Sequence, residues 1–163
     1  STFEELIALN TMYRPRIMDC IDGYTKRKHG LEPITYDHPI MKKFLKETYG
    51  VIIYQEQLML LSQEIANFTP EESDLLARAV CHHRRTQSNP ALKEKFIRGG
   101  MENGYTEEFL ENIWRDWMRC GNYLFNKSHA VCYTWLAYKM AYLKAHYPEE
   151  FMQAYFTIND NAI

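Results

Sequence analysis

Glycine and proline are scarce, at 7 and 6 of 163 residues, which leaves little material for the many tight turns of an all-β sandwich. Cysteine is scarce too. Cys20, Cys81, Cys120 and Cys132 form no C-x-x-C pair, so they read as reduced thiols of a cytoplasmic protein rather than as a disulfide framework. No apolar run reads as a membrane span. The best, Ala130 to Leu143, is one helix long, is rich in tyrosine and holds Lys139, so it reads as a buried or semi-buried helix. The polar, acidic start from Ser1 to Glu5 lacks the pattern of a signal peptide. P-loops, Rossmann glycines and serine-hydrolase elbows are absent. Cys81-His82-His83 has no second ligand pair at a useful spacing for a metal. Asp19 and Asp22 lie on a basic helical stretch rather than on the apolar strand that a two-metal site needs.

What is present is apolar and aromatic. At 46% hydrophobic and 14% aromatic, the chain can bury a core and does not belong among disordered sequences. Its length suits one domain, residues 1–163. A chain that opens without Met, directly on a helix signal, also reads as a piece of a larger protein.

Helix signals dominate. Ser1 or Thr2 caps a first helix with Glu4 and Glu5 in capping-box positions, and Arg14-Pro15 stops it. A basic amphipathic stretch, Ile21 to His29, closes at Gly30. Another helix starts at Asp37-His38-Pro39 and runs to Tyr49-Gly50. Val51 to Tyr54 is a β-branched run that suits a short extended segment. Helical spacing follows over Gln55 to Asn67, and Thr69-Pro70-x-Glu72 opens a further helix to Cys81. Pro90 starts a helix to Asn103-Gly104, Thr106 caps the next as far as Gly121, Ser128 caps a long one to His146, and Pro148 begins the last. The fold class is mainly α: a compact array of seven or eight helices with at most a short extended segment.

The net charge of −2 hides an uneven distribution. From Leu75 to Gly100 the basic residues are Arg78, Arg84, Arg85, Lys93, Lys95 and Arg98, against Glu94 alone. From Gly121 to Tyr147 there are Lys127, Lys139 and Lys144 and no acid. Two basic segments in a near-neutral chain suit either a localised anion site or ordinary solvated faces. Asn126-Lys127-Ser128-His129, at the start of a long helix, offers backbone N–H groups to an anion, with side-chain donors beside them. Arg78 can fork onto a phosphate near the basic loop His82, His83, Arg84 and Arg85, although basic residues suit any helix end. Tyr54-Gln55-Glu56-Gln57 offers amides to orient a base, or is simply a polar first turn.

Five strings carry a resemblance: Leu9-Asn10-x-x-Tyr13-Arg14-Pro15, Arg27-Lys28-His29-Gly30, Glu47 through Gln57 (ETYGVIIYQEQ), Phe125-Asn126-Lys127-Ser128-His129-Ala130, and Ala141-Tyr142-Leu143-Lys144-Ala145-His146-Tyr147-Pro148. In order and spacing they resemble the alpha subunit of bacterial replicative DNA polymerase III, a C-family polymerase, over essentially the whole chain. In that family this stretch is the fingers domain, so the resemblance implies part of a DNA-directed DNA polymerase of DNA replication. It implies nucleotide contacts from Arg78, Arg84, Arg85, Asn126, Lys127, Ser128 and His129, with His129 as a candidate for excluding a ribose 2′-hydroxyl. It implies a DNA or base-pair pocket from Tyr54, Gln55, Gln57 and Tyr123. The catalytic aspartates and their Mg2+ belong to the palm, which this sequence does not contain, so the segment is expected to be inactive alone. Expected partners are primer–template DNA and dNTP; the sliding clamp and the proofreading exonuclease would meet other regions. The chain departs from the family pattern at Arg16-Ile17, Ala77-Arg78, Cys81-His82-His83 and Leu124. Such departures also suit an alternative, a divergent stand-alone helical module that binds nucleic acid or a partner without catalysis.

Overall fold

The computed structural model describes residues 2–15, 17–81 and 90–160. Among them are nine α-helices, one or two more than the patterning predicts: α1 (Phe3–Met12), α2 (Asp19–Lys28), α3 (Pro39–Leu45), α4 (Gln55–Ala66), α5 (Pro70–Cys81), α6 (Pro90–Glu102), α7 (Glu107–Cys120), α8 (Lys127–His146) and α9 (Pro148–Asp160). Single 3-10 turns follow α3 (Lys46–Thr48) and α7 (Gly121–Tyr123).

The starts are set by capping side chains. The Thr2 hydroxyl accepts from the Glu5 N–H and the Glu5 carboxylate from the Thr2 N–H, a reciprocal capping box. Thr69 and Glu72 make the same exchange at α5. Thr106 caps α7 through the Phe109 N–H. α2 starts two residues earlier than expected, because Met18 offers no capping side chain to mark its start.

Two apolar cores result. The larger joins α3 to α7 and is dense in aromatics: Phe96 lies 4.7 Å from Trp117 and 5.9 Å from Trp114 between ring centres. Close helix approach depends on Gly121, where a Cβ would sit 2.7 Å from Val80 Cγ1 and 2.9 Å from the Val80 carbonyl carbon. The smaller core gathers Ile7, Ala8 and Met12 of α1, Ile17, Tyr24 of α2, Ile53, Tyr54 and Ala130 of α8.

The two cores meet at an isolated parallel bridge between Tyr54 and Phe125. The Phe125 N–H donates to the Ile53 carbonyl and the Gln55 N–H to the Phe125 carbonyl, both at 3.0 Å. This is the short extended segment, and it sets the start of α4 beside the start of α8.

α8 departs from expectation. Its apolar residues are spread around the whole helix, but it buries only Ala130 and Thr134. Trp135, Leu136, Tyr138, Met140, Tyr142 and Leu143 are exposed. The Ala130–Leu143 stretch is thus covered along one line only: α1 reaches it through Asn10 and Phe3, whose ring meets Trp135 and Tyr138 edge-on. α9 folds back on its far end and leaves an apolar groove of about 660 Å³ lined by Met140, Leu143, Tyr147, Phe151, Tyr155 and Ile158. No helix among the described residues is long and apolar enough to cross a membrane.

Candidate nucleotide and nucleic-acid interface

The bridge at Tyr54 and Phe125 builds the site. It places Glu56, in the first turn of α4, against the start of α8. Both carboxylate oxygens of Glu56 accept from the Lys127 N–H, at 3.0 and 2.9 Å, and one accepts from Asn126 Nδ2 at 3.0 Å. Asn126, not Ser128, caps α8. Its Oδ1 accepts from the His129 N–H at 2.9 Å and from the Ser128 hydroxyl at 2.5 Å. The Lys127 ammonium pairs with Glu47 at 2.6 Å and lies 5.4 Å from the centre of the Tyr54 ring. The Lys127 and His129 N–H groups, read from sequence as open to an anion, are therefore already held by the chain's own oxygens.

The outward side is aromatic. Asn126, Ser128 and His129 are exposed. The His129 ring lies 5.2 Å from Phe125 and 4.6 Å from Tyr133. The Arg14 guanidinium stacks 4.4 Å over Phe125 and donates to the Tyr123 carbonyl at 2.7 Å. Sequence reasoning gave no site role to Arg14, Phe125 or Tyr133, although Tyr133 stands one helical turn beyond His129.

The residues read as a base-pair pocket sit deeper. Tyr54 is 1% exposed, and burial raises its phenol well above the ordinary range. Gln57 is 4% exposed and fully engaged. Its Oε1 accepts from the Ile53 and Tyr54 N–H groups at 2.9 and 3.0 Å, and its Nε2 donates to the Thr48 hydroxyl at 2.8 Å. In this arrangement both side chains are buried and Gln57 spends its amide on the chain's own backbone and Thr48. Gln55 is half-buried against Cys81 Sγ at 3.4 Å. Tyr123 is half-buried, and burial raises its phenol too.

Arg78 lies on an exposed face of α5, its side chain 73% exposed and paired with Asp74 at 2.6 Å. It is one turn before Cys81, which the Gln55 contact ties to the α4 start. Arg84, Arg85, His82 and His83 lie outside the described residues. The acid-poor segments prove less basic in space than in sequence. Lys93 pairs with Glu111, Lys95 with Glu72 and Lys127 with Glu47. No three His, Cys, Asp or Glu side chains among the described residues converge on a metal position, and Asp22 is paired with Lys26.

Comparison with known proteins settles the family. Residues 1–104 match the model of the bacterial DNA polymerase III alpha subunit finger domain. The chain belongs to that finger-domain family. The DNA polymerase III subunit alpha of Aquifex aeolicus is 43% identical over 162 residues, 98% of this chain and 14% of its own length. That of Halalkalibacterium halodurans is 44% identical over 154 residues, 94% of this chain and 14% of its own. That of Chlamydia pneumoniae is 42% identical over 161 residues, 99% of this chain and 13% of its own. The chain thus spans about one seventh of the length of these relatives. The finger-domain match covers α1 to α6, whereas 126–129 and α7 to α9 lie beyond it and are covered by the full-length relatives. The site therefore straddles the boundary of the finger-domain match: α4 and α5 lie on one side, the start of α8 on the other.

Proposed function

We propose that this chain is the part of a cytoplasmic, DNA-directed DNA polymerase that receives the incoming deoxynucleoside triphosphate and the template base. The observation that carries the reading is the α4–α8 joint. In a finger-domain chain, it presents Asn126, Ser128 and His129 outward, beside Phe125 and Tyr133. Stacked rings offer a sequence-tolerant surface to bases and sugars. Arg78 supplies a planar, permanently charged fork for phosphate oxygens once it leaves Asp74. Gln55 and Tyr123 sit behind this surface as supports, with Tyr54 and Gln57 beneath them.

Phosphoryl transfer by such an enzyme uses Mg2+ to neutralise the developing charge. No described residues of this chain form a carboxylate set fit to hold it. The metal would be held elsewhere in a longer polypeptide. The contribution of this chain is to bind and orient nucleotide; clamp and proofreading partners would meet other parts of the enzyme.

The test is steady-state incorporation by a polymerase carrying this segment. Arg78→Ala is expected to raise the nucleotide KM about tenfold or more, the loss of one charged contact of about 1.5–3 kcal/mol. An unchanged kcat/KM removes Arg78 from the site. His129→Ala is expected to relax discrimination against ribonucleotides. Primer extension by the isolated chain is expected to be absent, and incorporation by it would overturn the reading.

A further inference from the structure

The start of α8 carries an anion supplied by the chain itself. Glu56 reaches it from 70 residues away and makes three hydrogen bonds of 2.9 to 3.0 Å, two to the Lys127 N–H and one to Asn126 Nδ2. Glu56 also sits in the first turn of α4, so one carboxylate lies at the positive ends of two helices. The arrangement is held from both sides. Asn126 is fixed as the cap by the His129 N–H, and Lys127 is drawn toward Glu47 and the Tyr54 ring. A substrate phosphate seeking this helix end would have to displace a carboxylate that is already bonded to it.

We propose that Glu56 is a positioning residue: its carboxylate is the resident anion of the α8 amino terminus and sets the angle at which Asn126 and His129 face outward. The consequence, which rests on the functional reading above, is that nucleotide phosphates are held by arginine side chains and not by the α8 dipole. Lys127 then acts as a strut between α8 and the α3–α4 corner.

Hydrogen exchange of the whole chain, read by mass spectrometry, tests this without requiring catalysis. In the unaltered chain the 124–131 peptide is expected to be protected, and millimolar inorganic tripolyphosphate should leave it unchanged. Glu56→Ala should speed exchange in that peptide about tenfold or more, with the α6 and α7 peptides unmoved. Tripolyphosphate should then restore part of the protection, because the vacated donors accept an outside anion. That gain is one a merely structural residue would not produce. Glu56→Gln, which keeps one acceptor oxygen, should fall between the two.

Equal exchange in Glu56→Ala and the unaltered chain overturns the proposal, as does an unprotected 124–131 peptide in the unaltered chain. So does a response of the unaltered peptide to tripolyphosphate, which would make the helix end an anion site after all. If Glu56→Ala loses protection everywhere, Glu56→Gln decides: acceleration confined to 124–131 supports the proposal, and any other pattern overturns it. In a polymerase carrying this segment, Glu56→Ala should lower kcat about tenfold while KM stays within about threefold. If the unaltered polymerase fails to extend a primer, the functional reading falls while the exchange result stands.

Discussion

Replacing Gln57 separates scaffold from contact surface. Its side chain is the acceptor for two amides, Ile53 and Tyr54, whose residues are at most 1% exposed. No water reaches either group to replace a lost partner. Gln57→Leu keeps most of the volume but leaves both N–H groups without an acceptor, at about 1–3 kcal/mol each. The Thr48 hydroxyl loses the Gln57 donor yet keeps its own bond to the Val51 carbonyl at 2.6 Å, which limits the damage on that side. A net loss of about 3 kcal/mol is expected, a large share of a typical total of about 5–15 kcal/mol. With a urea slope of about 2 kcal/mol per molar, the midpoint should fall by about 1.5 M at an unchanged slope. Buried Trp114 and Trp117 report the transition by fluorescence. A midpoint within about 0.3 M of the parent would refute the scaffold argument. A variant of full stability that binds primer–template DNA more weakly would instead place Gln57 at a base.

Gly121→Ala should drive a methyl group into the Val80 backbone and part α5 from the turn after α7. A cost of about 2–3 kcal/mol and a fall in Tm of about 5–10 °C are expected in a thermal melt, and a shift below about 2 °C would show that the helices yield freely. Acid should act through Glu5, whose carboxyl is lowered from 4.5 to about 2, chiefly by the Lys28 ammonium, then by the Tyr49 hydroxyl at 2.6 Å and the Thr2 N–H. A depressed carboxyl adds stability above its unfolded value, and that stability is lost as pH falls from about 4.5 toward about 2. Tyr49→Phe should move the loss to higher pH, read as the unfolding midpoint against pH, and identical profiles would remove the Tyr49 bond from the account.

The helices were legible because their punctuation is local. Thr2 with Glu5, Thr69 with Glu72, and Thr106 each sit within one turn of the donor they satisfy. The start of α8 was not, because Asn126 and Ser128 are both good caps by composition. Phe125 decides between them: its pairing with Ile53 and Gln55 keeps the chain extended up to Asn126. The site was half legible. The spacing of residues 125, 129 and 133 is visible in the string, but the carboxylates that clasp Lys127 come from positions 47 and 56, with no local pattern linking them to it. The exposure of α8 was hidden for a different reason. An apolar stretch shows that burial is favourable, not that a neighbour within the same chain supplies it.

The same distinction ranks two of the four cations expected at a triphosphate, Arg84 and Arg85 lying outside the described residues. Arg78 and Lys127 both stand in acid-poor sequence, and both prove to be paired. Arg78 with Asp74 is an exposed i,i+4 pair at 73% and 45% side-chain exposure, worth about 0.5 kcal/mol and easily traded for a phosphate. Lys127 is held by Glu47, by the face of Tyr54 and, through its own N–H, by Glu56. Freeing its ammonium breaks an ion pair and a ring contact together, on a residue whose backbone is pinned. Of these two, the charge more easily released is therefore Arg78 on α5, and on the proposed reading it is the one that meets substrate, while Lys127 is tied into the α4–α8 joint.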